Sequence, residues 1–455
     1  MSDYNAPVRD MLFAINELAN FENVAALPGY EEASPDMVEA IIEGAAQVAG
    51  DIVAPTNWIG DQIGVRVEDG RVIAPEAFRP AYKTLVEDGW LGISMDPEYG
   101  GQGLPSLLGI AIEEMLQSAN LAFSLCPLLT QGAIRAIEAH AGDDVKAMFL
   151  PKLVSGEWAA TMNLTESQAG SDLSVVSSKA VPEGDHYLVS GQKVFITWGD
   201  HDYAENIAHL VLARLPDAPE GVRGISLFLV PKLQLDADGN SGELNDVVPI
   251  SVEHKLGIHA SPTCVMAFGD NGGAVGYLVG ELNRGLMAMF TMMNEARLMV
   301  GMQGLGLAEM AFQESLGFAR ERLQSRSLAG QQNPDGPADP IIVHPDVRRM
   351  LMRQKVLNEG MRALALFTGH QLDLSVALPD ADGRQQADDL VQLLTPVVKA
   401  FLTDEGFNNA NMGLQVLGGA GFTTDWPLEQ LVRDGRIARI YEGTNGIQAM
   451  DLVGR

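Results

Sequence analysis

Apolar residues between Pro35 and about Gly156 recur at three- and four-residue spacing, as at Met37, Ile41 and Ile42 and again at Leu107, Ile110 and Met115. That period predicts helices, with Pro55, Pro97 and Pro105 as breaks between them. From about Ala159 to Leu278 the pattern shifts to short runs rich in β-branched and aromatic residues, YLVSGQKVFIT, IAHLVLARL and ISLFLVPKL, divided by Gly, Asp and Pro clusters. Such runs predict antiparallel strands. Beyond Gly280 the helical period returns over Met289–Leu316, Val347–Leu366, Ala387–Phe407 and Asn408–Leu417, interrupted by QQNPDGPADP. Four long helices predict a bundle.

The order helix, strand, helix divides the chain into residues 1–158, 159–278 and 279–455. The fold class expected is α+β multidomain: an N-terminal α-helical domain, a central antiparallel β-barrel and a C-terminal four-helix bundle. Strands segregated from helices exclude a doubly wound sheet and a TIM barrel. Gly304–Gly306, a GLG run, lies within a helical stretch and follows no strand, so close helix packing is its expected role rather than phosphate binding.

The 455 residues are 46% hydrophobic and 20% charged, ordinary values for a globular protein. A formal net charge of −30 works against polyanionic partners, so neither nucleic acid nor an anionic membrane surface is expected. Any phosphate-bearing ligand then needs its Arg, Lys and backbone N–H contacts concentrated where it lies. The two cysteines, Cys126 and Cys264, are far apart and suggest neither a zinc site nor a disulfide framework. The N-terminal stretch MSDYNAPVRD lacks a basic region, and no run of eighteen apolar residues follows. No export signal or membrane span is expected, and a cytoplasmic location fits.

Three segments carry candidate chemistry. Met162–Ser174, MNLTESQAGSDLS, opens the β region as a polar loop whose hydroxyls and amides suit a heterocycle or a phosphate. In the following strand, GQKVFIT, period two places Phe195 and Thr197 on one face, an aromatic beside a hydroxyl. Near the C-terminus, Gly418, Gly419 and Gly421 break a helix and permit close approach of another molecule to the backbone. Glu442 follows, between the apolar Ile440 and Tyr441 and the turn formers Gly443, Thr444, Asn445 and Gly446. A carboxylate so placed is partly desolvated, which raises its pKa and strengthens it as a base toward a carbon acid.

Together these segments resemble the acyl-CoA dehydrogenase family, in the family's order and over nearly the whole chain. TESQAGSD is similar to that family's T-E-x-x-x-G-S-D loop, GQKVFIT to its G-x-K-x-W-I-T strand, and IYEGTNGIQ to its I-Y-E-G-T-x-x-I-Q motif. Within the family, FAINELANF, EYGGQGLP and EHKLGIHASPTCVM suggest a nearer likeness to 3-methylmercaptopropionyl-CoA dehydrogenases, and hence a place in dimethylsulfoniopropionate degradation.

The resemblance implies an FAD-dependent oxidation of an acyl-CoA thioester to a trans-2-enoyl-CoA. Glu442 would remove the α-proton, with Arg297 beside it or the substrate, while flavin N5 takes the β-hydride. Thr165 would bond the pyrimidine side of FAD, Phe195 would pack over the isoalloxazine and Thr197 would reach N5. Met162, Leu164, Gly170, Ser171, Ile196, Thr444 and Asn445 complete the expected cofactor contacts. Ser171, Asn294, Arg297, Glu442 and Gly443 are the expected substrate contacts, Ser171 at the pantetheine or phosphate arm of CoA. Arg322 and Gln324, with Gln415, Gly418 and Gly419, would bind the ADP half of FAD held by a neighbouring subunit, so a homodimer or homotetramer is expected. Electron-transfer flavoprotein is the expected electron acceptor.

Three departures stand out. Phe195 replaces the usual Trp and keeps an aromatic cover. Ser167 replaces the usual Pro and is expected to loosen its loop. The sequence ends at Arg455, thirteen residues after Glu442, where the resemblance implies a closing helix and a further C-terminal region, so a fragment or a missing last helix is expected. An acyl-CoA oxidase on the same scaffold, or a non-catalytic binding platform, are the alternatives. Met287, Met289, Met292 and Met293 are polarizable enough for a thioether substrate, but core packing is their expected role.

Overall fold

Helix starts and stops in the N-terminal region follow local chemistry. In the computed structural model, which describes residues 4–236 and 239–454, α1 (Pro35–Gln47) begins at Ser34, whose side chain accepts from the Met37 N–H with Pro35 next in line. It is followed by α2 (Phe78–Glu87), α3 (Ser106–Ala119), α4 (Leu121–His140) and α5 (Asp143–Ser155). Asn120 divides α3 from α4: its backbone is extended, and its side chain accepts from the Phe123 N–H while donating to Thr56 Oγ1 at 2.8 Å. Pro55 does not break a helix but sits in the first turn of one, Ala54–Ile63. Arg66–Glu68 and Arg71–Ile73 form a hairpin that the helical reading of this region misses. Its signal was Asp69–Gly70, both at positive φ, between alternating residues.

The central region is a curled sheet of eight strands: β1 (Trp158–Asn163), β2 (Lys179–Glu183), β3 (His186–Thr197), β4 (Asn206–Ala213), β5 (Ser226–Pro231), β6 (Val247–Val252), β7 (Thr263–Phe268) and β8 (Ala274–Val279). They run in the order β6-β7-β3-β8-β5-β4-β1, with β2 also on β3. Every pairing in this sheet is antiparallel except β1 with β4, which is parallel. β3 serves two neighbourhoods: its first half pairs with β2 and β8, its second half with β7, and Gly191 at φ 138° stands between. Alternate residues of β4 part company, Val211 and Ala213 joining the barrel core and Leu210 and Leu212 the helical core. A strand covered on both faces explains the unbroken apolar run IAHLVLA.

Three long helices follow: α6 (Gly285–Glu321), α7 (Pro345–Ala377) and α8 (Ala381–Leu417). The two helices expected over Ala387–Phe407 and Asn408–Leu417 are one continuous helix, because Phe407 and Asn408 carry no helix-breaking signal. α3 of the N-terminal region packs with α6 and α7 as a fourth partner. Gly301, Gly304 and Gly406 set the α6–α8 crossing: a Cβ on Gly304 would overlap the Leu402 carbonyl, and one on Gly406 would overlap Gly304. The GLG run is therefore a helix-packing device, as its setting in the sequence predicted. α9 (Leu428–Gly435) and α10 (Asn445–Gly454) end the described chain, so a helix does follow Glu442.

Buried polar bonds join the N-terminal and C-terminal helices. Arg362 of α7 donates to Glu114 of α3 at 3.0 Å and to Glu309 of α6 at 3.2 Å, all three side chains buried. Asp373 of α7 accepts from the Ser106 and Leu107 N–H groups at 2.7 and 3.1 Å, capping α3 from another helix. Met289 and Met292 lie in the main core, in keeping with a packing role. Among the described residues no helix is long and apolar enough to cross a membrane.

Candidate active site

Glu442 and Gly443 are consecutive residues in the left-handed region, at φ 53° and 82°. Such a conformation is strained for a glutamate, and the surroundings hold it. Gln448 donates to the main-chain oxygens of Glu442 and Gly443 at 3.3 and 3.1 Å. Tyr441 donates its hydroxyl to Gln303 of α6. Asn445 donates to Ala400 O, Thr403 Oγ1 and Asp404 Oδ1 of α8 and accepts from Lys399 Nζ at 2.9 Å. Thr444 accepts from the Ile447 N–H at 3.3 Å and so opens α10.

The Glu442 carboxyl is pushed up to about 7 by desolvation, opposed by the positive charges of Arg297 and Lys399. No described residue donates a hydrogen bond to its carboxylate, and its own N–H has no described acceptor. Arg297 is buried on α6, 3.2 Å from Asp451 of α10, and a Cβ on Gly443 would lie 3.6 Å from its Nη2. Asn294, one turn earlier, is within 3.5 Å of Arg297. Both line a cavity of about 990 Å³ walled by Leu104, Thr291, Thr395 and Asp451 among others, between the N-terminal helices and the bundle. Arg297 therefore stands between this cavity and the turn that carries Glu442.

On the barrel, the TESQAGSD loop is stapled by Glu166. Its carboxylate accepts from Ser177 and Ser178, main chain and hydroxyl alike, and from Lys193 Nζ at 2.8 Å. Lys193 also donates to Leu164 O at 3.1 Å, and the Val194 N–H donates to Thr165 O at 2.9 Å. These bonds fix the loop despite Ser167 at the position expected to loosen it. Sequence reading passed over Glu166 and Lys193; the signal was a lysine at period two from Val189 and Gly191, on the face the strand turns inward, where a cation needs an internal partner.

Phe195 sits on a β-bulge. Lys193 pairs with Met266 and Ile196 with Cys264, so Val194 and Phe195 together face Val265. Phe195 has φ 59° and is 62% exposed, whereas Ile196 is buried in the barrel core and Thr197 is half-buried. The bulge thus leaves an aromatic ring and a hydroxyl outside the barrel with an aliphatic residue between them inside. Met162, Leu164 and Thr165 are half-buried beside this strand, and Gly170 and Ser171 are exposed on the loop. The barrel reaches the terminal segment through Ile258, whose N–H donates to Asp434, and through Gly257, packed on the Arg433 main chain.

Arg322, Gln324, Gln415, Gly418 and Gly419 are exposed at the other end of the bundle, beside Phe422, which is 85% exposed. Gly285 begins α6 against β5, its N–H bonded to Ile225 O. At about 1.5 Å per residue a helix of this length runs roughly 55 Å, so Arg322 lies far from that barrel contact. One chain brings Asn294, Arg297, Glu442, Gly443, Thr444 and Asn445 together, but not these five.

Family models describe the same three-part succession: an acyl-CoA dehydrogenase N-terminal domain over residues 64–157, a middle domain over 161–271 and a C-terminal domain over 283–455. The chain belongs to the acyl-CoA dehydrogenase family. A 3-methylmercaptopropionyl-CoA dehydrogenase of Ruegeria pomeroyi is 50% identical over 99% of this chain and 76% of its own length. A butyryl-CoA dehydrogenase of Syntrophomonas wolfei is 36% identical over 100% of this chain and 76% of its own length. In fold, butyryl-CoA dehydrogenase from Megasphaera elsdenii superposes with a TM-score of 0.75 at 23% identity, over 92% of this chain and 97% of that one. This acyl-CoA dehydrogenase is an oxidoreductase of a flavoprotein family, and its reaction is the FAD-dependent α,β-dehydrogenation of an acyl-CoA thioester.

Proposed function

We propose that Glu442 is the general base of this acyl-CoA dehydrogenase and that its acyl group is short, 3-methylthiopropanoyl before others. One observation carries the first part: the Glu442 carboxylate is desolvated, receives no hydrogen bond from the described residues and stands beside two cations. Its lone pairs are left for a substrate proton, and a value near neutrality suits a base. The Glu442 N–H is left to donate to the thioester oxygen, where negative charge grows as the α-proton leaves. Arg297 and Asn294 line the cavity that would take the acyl chain. The Ruegeria relative supports the acyl group.

FAD fits the barrel face. A large aromatic ring held open to solvent at positive φ has a use if a flat heterocycle covers it, and Phe195, Thr165 and Thr197 are the groups we assign to that ring, with Met162, Leu164, Gly170, Ser171 and Ile196 around it. Bound FAD supplies the acceptor for the hydride that leaves the β-carbon. Thr444 and Asn445 follow the base on its own turn, and we assign them to the same cofactor. Arg322, Gln324, Gln415, Gly418 and Gly419 of a second copy would hold its ADP half, making the enzyme a homodimer or homotetramer. Electron-transfer flavoprotein would then take the electrons, in the cytoplasm.

Glu442→Gln should keep its flavin and lose at least about two orders of magnitude in turnover, the loss expected when a general base is removed. Near-normal turnover would overturn the assignment. A panel of 3-methylthiopropanoyl-CoA, butanoyl-CoA and octanoyl-CoA should show the highest kcat/KM for the first. Peroxide formed in air at the rate of substrate oxidation would reassign the acceptor to oxygen.

A further inference from the structure

Lys399 is an unusual residue to find where it is. It lies in the middle of α8 and is fully buried, yet among the described residues its ammonium has a single hydrogen-bonding side chain, Asn445, at 2.9 Å. Asn445 in turn belongs to the turn that carries Glu442, three residues on, and its amide is tied to Ala400 O, Thr403 Oγ1 and Asp404 Oδ1 of the same helix. The turn is therefore latched to one turn of α8 through a single side chain. Burying an ammonium costs several kcal/mol unless charge and hydrogen bonds offset it. The opposing charges are Glu442 and Asp404, and Arg297 of α6 works against it.

We propose that Lys399 is a positioning residue for the dehydrogenation: bonded to the turn through Asn445 and buried beside the base, it fixes where the Glu442 carboxylate stands and supplies its counter-charge. The inference rests on Glu442 being the base. The α6–α8 crossing makes the arrangement possible. Gly301 and Gly304 let the two helices approach closely, and the charges of Arg297 and Lys399 both act on the Glu442 carboxylate. Arg297 is shared with Asp451 of α10, whereas Lys399 makes no ion pair within 4.0 Å of any described acid. Its charge therefore acts on Glu442 first, and on Asp404 after it, over a somewhat longer range.

The charged groups around the turn are Arg297 on α6, Lys399 and Asp404 on α8, Asp451 on α10 and Arg439 on the segment before the turn, which is paired with Asp404. Tyr441 stays neutral, its hydroxyl raised above the ordinary range by burial and by the Glu442 charge. Two groups titrate near neutrality. Glu442 is a base above about 7, and burial brings Lys399 down to about 8, so it is a cation below that. Between those two values the base is ionised and its counter-charge present.

The test is the pH profile of flavin reduction by acyl-CoA, followed without oxygen, in the full chain with FAD bound. The native enzyme should give a bell with limbs near 7 and 8. Lys399→Met should move the acid limb to higher pH by about one unit, which costs about fivefold in rate at about pH 7, and the rate should stay below the native maximum on raising the pH because the counter-charge is absent. Lys399→Arg should keep the acid limb and lose the alkaline one, since a guanidinium does not deprotonate. An infrared titration of the Glu442 carboxyl, assigned by its absence in Glu442→Gln, should show the same upward move in Lys399→Met without reference to turnover. A constant fall in rate at every pH, with the carboxyl midpoint unmoved, would reduce Lys399 to a structural role and overturn the proposal. Should Lys399→Met fail to fold, an alkaline limb retained in Lys399→Arg overturns it equally. Failure of the base assignment would look different, as activity surviving in Glu442→Gln.

Discussion

Lys193 and Glu166 form an ion pair of 2.8 Å with both side chains buried, and that pair joins a strand of the barrel to the loop that precedes it. Glu166 is held well below the ordinary carboxylate range: its burial works the other way, and Lys193 with Ser177 and Ser178 outweighs it. The stability so gained is present above the carboxylate's unfolded pKa and is lost as pH falls through the lower folded value.

Removing one member of this pair leaves the other buried and uncompensated. Lys193→Met should therefore cost about 3–5 kcal/mol, read as a lower urea midpoint, and should also lower flavin content because Leu164 O and the loop lose their anchor. A midpoint within error of the native protein would show that the loop is held by its serine contacts alone.

Gly304→Val is predicted to be severe for a different reason. Its Cβ would occupy the space of the Leu402 carbonyl, which is backbone and does not rotate away. Overpacking of this kind costs about 1–3 kcal/mol or more and should also part Arg297 from Lys399. Thermal melting and kcat should fall together; a stable variant with native kcat would mean that the helices do not set the site.

Asp373 gives a pH prediction with a definite sign. Burial raises its carboxyl to about 7 although the Ser106 and Leu107 N–H groups hold the ionised form. The folded protein thus keeps a proton that the unfolded chain releases above about 3.9, and stability contributed by this group falls as pH rises from there to about 7. Asp373→Asn should flatten that slope, by a few kcal/mol at most on the order of the shift. Urea midpoints of the two proteins at acid and neutral pH measure it, and parallel curves would contradict it.

Phe195 should matter to the cofactor and little to the fold. With 62% of its surface exposed it contributes little packing, so Phe195→Ala should leave the melting temperature of the flavin-free protein nearly unchanged. FAD affinity should weaken by about tenfold, the worth of one aromatic stacking contact. Fluorescence titration with FAD decides this, and unchanged affinity would remove Phe195 from the flavin site.

Much of the fold was legible because helix and strand periods are local. The change of period near Ala159 and back near Gly280 located the curled sheet between helical regions, and Gly304–Gly306 announced close packing. Other features depend on partners distant in sequence. Nothing local distinguishes the parallel pairing of β1 with β4, since the alternation of a strand does not record its neighbour's direction.

The sequence alone determined the order of elements and, through the turn formers after Tyr441, that Glu442 would stand on a tight turn. Tertiary structure alone decided what surrounds it. Lys399 and Arg297 are far from Glu442 along the chain and arrive through a helix crossing that three glycines permit. Proton affinity at a buried carboxylate is set by charges within a few ångströms, and such distances exist only once the helices have packed.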